Sequence, residues 1–385
     1  MRQAERAIFD LRRSLPILIR DGQQYTLIQA VEGLNEAARA RFVDGDGSAP
    51  VLLLSSHRMR ALGYHDIESP TALSFASLPA TEQLHELAAA RNARLPTDAR
   101  HQAADRMQRA AIRLLTHSLL LPAALASSFD GAAAEAIKAD IDSGELLVVD
   151  AELALTLGRA GPGALNRISE ARVPLAEADH TRFVLFREAD GVHEHVAIVI
   201  GEPDDWPADV PVRLHSSCLT GDLFGSLRCD CGEQLRRGVA AIRAQGGGVL
   251  LYLSQEGRGI GLANKLRAYT LQDQGLDTID ADQTIGFSKD ERNFRVAHEM
   301  LEQLGVKQIL LLTNNPAKVE ALQRAGIRVN ARQAIFGDVT PQNERYLSTK
   351  ARRHGHLLED LLHNQDDAAT EAAADLPSAD TANSH

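Results

Sequence analysis

R-L-H-S-S-C-L-T-G-D-L-F-G-S-L-R-C-D-C-G-E-Q, Arg213 to Gln234, holds all three cysteines of a 385-residue chain. Cys218, Cys229 and Cys231 form a C-x10-C-x-C arrangement. Cys229 and Cys231 are two apart, so in an extended segment both point to one side. The turn-prone Thr220-Gly221-Asp222 lets Cys218 return to them. Three converging thiolates are a soft ligand set suited to zinc, and three protein ligands leave a fourth position for water. The same set serves a closed, structural zinc if His215 supplies the fourth ligand. An odd cysteine count and an N-terminus without an apolar signal core argue against a disulfide.

Length and composition frame that stretch. The chain is long enough for two domains with their own cores. It is 44% hydrophobic and 24% charged, ordinary values for a globular protein. No apolar run reaches membrane-spanning length; Leu119 to Ala126 is short and interrupted by Pro122. A reduced, cytoplasmic setting is the expectation. With a net charge of −11, no broad basic face for nucleic acid is expected. An anionic substrate must therefore be met by local cations.

Residues 1–170 read as a separate α/β domain. Helices are expected over Ala4 to Ser14 and over Asp98 to Leu121, the second N-capped by Thr97 and ended by Pro122. Strands are expected at Pro16–Ile19, Val51–Leu54 and Glu145–Asp150. No cluster of chemistry-bearing residues stands out there, and His57 and His65 read as ordinary surface or core histidines. Gly161-Pro162-Gly163 breaks the chain near the boundary. Arg182–Glu188 and Glu194–Gly201 read as a hairpin turning at Ala189-Asp190-Gly191. Strand, loop and helix then alternate: a helix over Gly232–Gln245 stopped by Gly246-Gly247-Gly248, a strand at Val249–Leu253 and a helix over Leu262–Gln272. A helix opening at Asp290 or Glu291 and running through Leu304 follows. After it come a strand at Gln308–Leu312, a helix over Ala317–Ala325 capped by Asn315, and a last strand after Arg328. That alternation predicts an α/β domain with a substantial parallel component. From Asp366 onward the chain is small, polar and acidic, and disorder is expected.

Two loops have anion-binding logic. Gln255-Glu256-Gly257-Arg258-Gly259-Ile260-Gly261 offers backbone N–H groups with Arg258 beside them. Thr313-Asn314-Asn315-Pro316-Ala317-Lys318 sets a helix N-terminus, Thr313 and Lys318 together. Neither has the glycine spacing of a Walker A or dinucleotide motif. Glu256 is suited to accept the paired N–H donors of a guanine edge. Its plainer reading is a solvated loop acid; that of Asp290 is a helix cap, and that of Tyr269 is packing. A zinc site, two phosphate cradles and a purine-reading carboxylate jointly suggest hydrolysis of a nucleotide base.

At this point the residues resemble GTP cyclohydrolase II, from about Val173 to Leu358, roughly half the chain. The motifs are R-L-H-S-S-C-L-T-G-D at Arg213, S-L-R-C-D-C-G-E-Q-L at Ser226 and Q-E-G-R-G-I-G-L at Gln255. They continue with N-K-L-R-A-Y-T-L-Q-D-Q-G-L-D-T at Asn264, D-E-R at Asp290, L-L-T-N-N-P-A-K at Leu311 and Y-L-S-T-K-A-R-R-H-G-H-L-L at Tyr346. The resemblance implies a mixed α/β cyclohydrolase domain over 171–362, a separate N-terminal domain over 1–170 and an acidic tail over 363–385. It implies zinc on Cys218, Cys229 and Cys231, with activated water attacking C8 of guanine and the carbon leaving as formate. It implies GTP contacts at Arg213, Leu214, His215, Ser216, Ser217, Gln234, Glu256, Gly257, Arg258 and Thr278, with Thr313 and Lys318 on the phosphate side. Asp290 is similar to a proton acceptor, and Arg292 to a nucleophile toward the α-phosphorus. For a guanidinium, charge stabilisation is the chemically easier role. Tyr269 resembles a tyrosine tied to ring hydrolysis. Magnesium on the polyphosphate and a homodimer are also implied. The implied products are formate, pyrophosphate and 2,5-diamino-6-(5-phosphoribosylamino)pyrimidin-4-one, the first step of riboflavin synthesis.

Two positions depart from the family pattern. Ser217 stands where the family commonly has Glu, and Ser254 where it commonly has Arg. They leave open a paralogue acting on another nucleotide, as in uracil breakdown, or a non-catalytic nucleotide-binding regulator with structural zinc. Residues 1–170 occupy the place of a dihydroxybutanone-phosphate synthase in bifunctional relatives but lack its D-D-E-D-R-E-N-E-G-D type of signature. A degenerate or regulatory domain is expected there instead.

Overall fold

The computed structural model describes residues 2–157 and 165–335. The Gly161-Pro162-Gly163 breaker, the motif at Tyr346 and the acidic tail lie outside the described residues. Two seven-stranded sheets with flanking helices make up the described chain, so the expected α/β class holds in both halves.

The first sheet contains β1 (Ile17–Asp21), β2 (Gln24–Ala30), β3 (Val51–Leu54), β4 (Thr71–Ser74), β5 (Arg100–Ala103), β6 (Ala123–Phe129) and β7 (Leu147–Asp150). Its order is β5-β4-β3-β6-β2-β1-β7. Only the β1–β7 pair at its edge is parallel; the other pairs are antiparallel. The period-two alternation of strands sorts side chains into two cores. Ile17, Ile19, Leu53, Ala124 and Ala126 pack with Ile8, Leu11, Leu114 and Leu115 on one face. Leu18, Leu52, Leu54, Ala123 and Leu125 pack with Met59, Leu84 and Leu87 on the other. Both faces are thus covered, and continuous apolar runs such as V-L-L-L are what such strands require.

One sequence expectation fails here. Asp98–Leu121 is not a single helix. Arg100–Ala103 is an exposed edge strand paired with β4, and the helix runs Arg106–His117. Its N-cap is Asp105, not Thr97. Asp105 accepts the Gln108 N–H while the Gln108 side chain returns to the Asp105 N–H, a reciprocal capping box.

The second sheet contains β8 (Leu165–Arg172), β9 (Thr181–Glu188), β10 (Glu194–Ile200), β11 (Val210–Ser216), β12 (Gly248–Leu253), β13 (Gln308–Leu312) and β14 (Arg328–Gln333). Its order is β14-β13-β11-β12-β10-β9-β8. The pairs β11–β13 and β13–β14 are parallel, the component the strand–helix alternation predicts. β9 and β10 are neighbours, with Gly191 left-handed in the turn between them. Gly248, at φ 148°, takes the chain from the Cys231–Ala244 helix into β12; a Cβ there would sit 2.1 Å from the Pro211 carbonyl oxygen.

Two compact units result. One comprises Met1–Glu170, Val184–Val196 and Tyr252–Glu299; the other comprises Ala171–Phe183, Ala197–Leu251 and Met300–His385. Among the described residues no helix is long and apolar enough to cross a membrane.

Candidate active site

The second unit carries the thiols. Cys218 follows β11, Cys229 ends the loop, and Cys231 is the first residue of the Cys231–Ala244 helix, whose dipole favours a thiolate there. The three sulfurs lie within 4.8 Å of one another, with the Cys218 and Cys229 Sγ atoms 3.7 Å apart. None is in a disulfide. Gly221 makes the convergence possible: a Cβ there would sit 2.7 Å from the Cys229 Sγ and 3.2 Å from that of Cys218. The hydrogen bond with Cys218 and burial push the Cys229 thiol up, with Cys231 opposing. Three thiols at this spacing do not all ionise without a cation among them, so the donor set fits a soft divalent metal.

His215 is not in that group. Its Nε2–H donates to both oxygens of Asp222, at 3.0 Å each. Burial pulls its imidazole below the ordinary value, with Asp222 opposing. Asp222 also accepts the Cys218 N–H at 2.9 Å. The histidine therefore braces the thiol loop through a carboxylate. The closed zinc with His215 as fourth ligand is not what the geometry presents.

Arg213 lies beside this loop and is only 5% exposed. Its Nη2 donates to the Gln234 Oε1 at 2.8 Å and its Nη1 to the Leu312 carbonyl at 3.3 Å; its buried Nε has no partner among the described residues. Gln234 in turn donates to Asp230. Burial pulls the guanidinium down to about 10, with Asp230 and Cys231 opposing, so it stays charged at neutral pH. Gly238 makes room for it, since a Cβ there would meet the Arg213 Cδ at 2.5 Å. Leu214 is buried and its carbonyl accepts Lys318 Nζ at 2.7 Å. The Ser216 hydroxyl is buried without a partner among the described residues, and Ser217 is half-buried. Asn315 caps the Pro316–Arg324 helix as expected, and the Thr313 Oγ1 accepts the Asn315 N–H at 3.1 Å.

The first unit carries the glycine loop. Gly257 and Arg258 are both left-handed, at φ 61° and 62°. For Arg258 that conformation costs energy and must be held from outside. Its Nη2 is bound by Asp282 and by the Thr278 carbonyl at 3.3 Å, and its own carbonyl accepts the Glu291 N–H at 3.0 Å. Burial pushes the Asp282 carboxyl up to about 7, with Arg258 opposing. The Glu256 Oε1 accepts Lys265 Nζ at 2.7 Å, and that ammonium lies 5.6 Å from the centre of the Tyr269 ring. Glu256 is thus an ion-paired acid and not a solvated one.

Asp290 is not a helix cap. The helix expected from Asp290 or Glu291 runs Arg295–Gln303, and Asn293 accepts the Arg295 N–H instead. The Asp290 Oδ1 accepts the Arg292 N–H at 3.1 Å and its Nε–H at 2.8 Å, and the Oδ2 accepts Nη2 at 2.6 Å. Burial raises the Asp290 carboxyl, but the hydrogen bonds and charge of Arg292 outweigh it and hold it below the usual range. Arg292 also covers the Phe294 ring at 5.0 Å. The Ser254 N–H, at one of the departing positions, donates to the Nδ1 of the buried His195 at 3.0 Å.

The GTP cyclohydrolase II family model matches residues 166–334. The GTP cyclohydrolase-2 of Xylella fastidiosa (strain Temecula1) is 42% identical over 360 residues, covering 93% of this chain and 87% of its own. That of Azospirillum brasilense is 42% identical over 371 residues, covering 93% of this chain and 94% of its own. The chain belongs to the GTP cyclohydrolase II family. A shorter family member, from Escherichia coli O9:H4, is 50% identical over 98% of its own length and 50% of this chain. A solved two-domain 3,4-dihydroxy-2-butanone 4-phosphate synthase from A. baumannii, at 16% identity and a TM-score of 0.32, covers 87% of this chain and 99% of its own.

The sequence alone does not single out four side chains that brace these two regions, Asp222 and Asp230 in the thiol stretch and Lys265 and Asp282 around the glycine loop. Asp222 and Asp230 sit inside the quoted cysteine stretch and are legible as neighbours of the thiols. Lys265 and Asp282 reach back from the Leu262–Asp273 and Thr278–Thr284 helices. No spacing rule links either of them to the glycine loop.

Proposed function

We propose that the chain opens the imidazole ring of GTP by hydrolysis, releasing formate and pyrophosphate and leaving 2,5-diamino-6-(5-phosphoribosylamino)pyrimidin-4-one, the first step of riboflavin synthesis. Residues 1–170 are read as an accessory domain and 171–362 as the cyclohydrolase domain. The observation that carries the reading is the convergence of Cys218, Cys229 and Cys231 within 4.8 Å, without a histidine in the group. These thiols would hold a zinc ion, which when bound supplies a Lewis acid and an activated water for attack on the ring carbon.

The chain's own residues do the rest. Arg213, held by Gln234, supplies fixed positive charge near the thiols, and its Nε, which has no partner among the described residues, is a further donor. Asp222 fixes both His215 and the start of the thiol loop. Glu256, held by Lys265, reads the guanine edge, and Tyr269 serves ring hydrolysis. Thr313 and Lys318 hold the phosphate side. Asp290 accepts a proton and aims Arg292, whose guanidinium stabilises charge at the α-phosphorus. A guanidinium tied this firmly to a carboxylate is a poor nucleophile and a good electrostatic clamp. The reading includes Mg2+ on the polyphosphate and a cytoplasmic homodimer.

The test is GTP turnover by zinc-loaded protein with Mg2+, following formate, pyrophosphate and the ultraviolet spectrum together. Equal formate and pyrophosphate with an opened-ring spectrum is the expected result. Bound GTP without either product would instead indicate a regulator, and turnover of another nucleotide would indicate the paralogue reading.

A further inference from the structure

We infer that Arg58, with Ser55, is a positioning residue for GTP turnover: the N-terminal residues clamp the segment that joins Asp282 to Asp290. The inference rests on the cyclohydrolase reading and assigns a task to a region whose sequence reveals none.

Arg58 is 1% exposed, yet it touches no carboxylate among the described residues. Every hydrogen bond its guanidinium makes there goes to a backbone carbonyl. Its Nε donates to Leu87 at 2.7 Å, and its Nη2 to Glu86 at 3.0 Å and Ala90 at 2.8 Å. Those three carbonyls belong to the last turn and cap of the Thr81–Ala89 helix. Its Nη1 donates to Thr284 at 2.7 Å, the last residue of the Thr278–Thr284 helix. One buried guanidinium thus closes two helix C-termini, where orphan carbonyls and the negative dipole ends both favour a cation.

The second helix is the one that supports Arg258. Its Thr278 carbonyl and Asp282 carboxylate bind that guanidinium. Just beyond Thr284, the Gly286 carbonyl accepts the Ser55 Oγ–H at 2.6 Å. The Ser55 Oγ also accepts the Arg58 N–H at 3.1 Å, which links the two halves of the clamp. Gly286 is left-handed at φ 92°, and a Cβ there would meet the Pro122 Cγ at 2.8 Å and the Ser55 Oγ at 3.0 Å. Two residues on, Ser288 donates to the Asp290 carbonyl at 3.0 Å and opens the turn that presents Asp290 and Arg292. Leu121 of the N-terminal residues packs with Ile260, Ala281, Ile285 and Phe287 in one small core. The clamp therefore sits on the short path between the two charged pairs, Arg258–Asp282 and Asp290–Arg292.

The experiment compares full-length zinc-loaded wild type with Arg58→Lys and Ser55→Ala, reading kcat, KM for GTP, thermal midpoint and zinc content. Lysine keeps the charge but cannot span both helix ends. Arg58→Lys is expected to lower kcat/KM on the order of tenfold to a hundredfold, from loss of alignment, with zinc content unchanged. Ser55→Ala, which keeps the guanidinium, is expected to lower it severalfold. Guanidinium ion added to Arg58→Ala is expected to restore part of the lost kcat. Should the Arg58 variants not fold, Ser55→Ala decides alone. Variants that lose thermal stability yet keep wild-type kcat and KM per zinc-loaded protomer overturn the inference. A wild type that does not turn over GTP overturns the reaction itself, which separates the two failures.

Discussion

The thiol stretch, Arg213–Gln234, and the glycine loop with its partners, Gln255–Arg292, were unequally legible. In the thiol stretch every cysteine and its brace fall within one short run, and local geometry brings them together. Cys229 and Cys231 flank one residue, Gly221 leaves the space, and Asp222 ties His215 to the Cys218 N–H. In the glycine loop the recognisable residues are held by groups that the motif does not contain. Lys265 reaches Glu256 from nine residues on, and Asp282 reaches Arg258 from twenty-four. A motif names the groups that meet the ligand, whereas burial and ion pairing decide whether they are rigid. The second kind of information is tertiary.

Substitutions in the two regions test this difference. Cys229→Ser is expected to have the largest effect. Zinc content should fall from one per chain toward none, and formate release should drop by about a thousandfold or more. Arg292→Lys comes next. Lysine cannot reproduce the two-pronged pair with Asp290, and pyrophosphate release should fall about a hundredfold while zinc content is unchanged. Lys265→Met removes the ammonium from the Glu256 Oε1. The KM for GTP should rise about tenfold, and discrimination against a nucleotide lacking the guanine amino group should narrow.

The smallest effect concerns pH. The folded-state pKa of Asp282 is raised to about 7 by burial against an ordinary 3.8. Folding therefore favours its protonated form between those values. That contribution to stability is fully present below about pH 4 and is lost as pH rises through about 7. The Arg258 pair needs the ionised form, so kcat/KM should fall severalfold as pH drops below about 7. Asp282→Asn should flatten that limb. A wild-type profile with no inflection near 7 would show that Asp282 does not control Arg258.

Legibility elsewhere followed the same division. The Pro316–Arg324 helix and its Asn315 cap were readable because cap and proline are adjacent. The Arg106–His117 helix was misplaced because Arg100–Ala103 has a helix-like composition but is drawn into a sheet edge by β4. Asp290 was readable as a cap by position, yet its carboxylate is taken by Arg292. β6, A-A-L-A-S-S-F, has little strand propensity and is made a strand by pairing with β2 and β3 on either side.

In the proposed reaction the thiol stretch opens the ring while the Asp290–Arg292 region acts on the polyphosphate. The most direct measurement counts formate and pyrophosphate separately in Cys229→Ser protein given GTP and Mg2+. Pyrophosphate with formate absent is the expected result. Formate and pyrophosphate lost in the same proportion, or both retained, would contradict it.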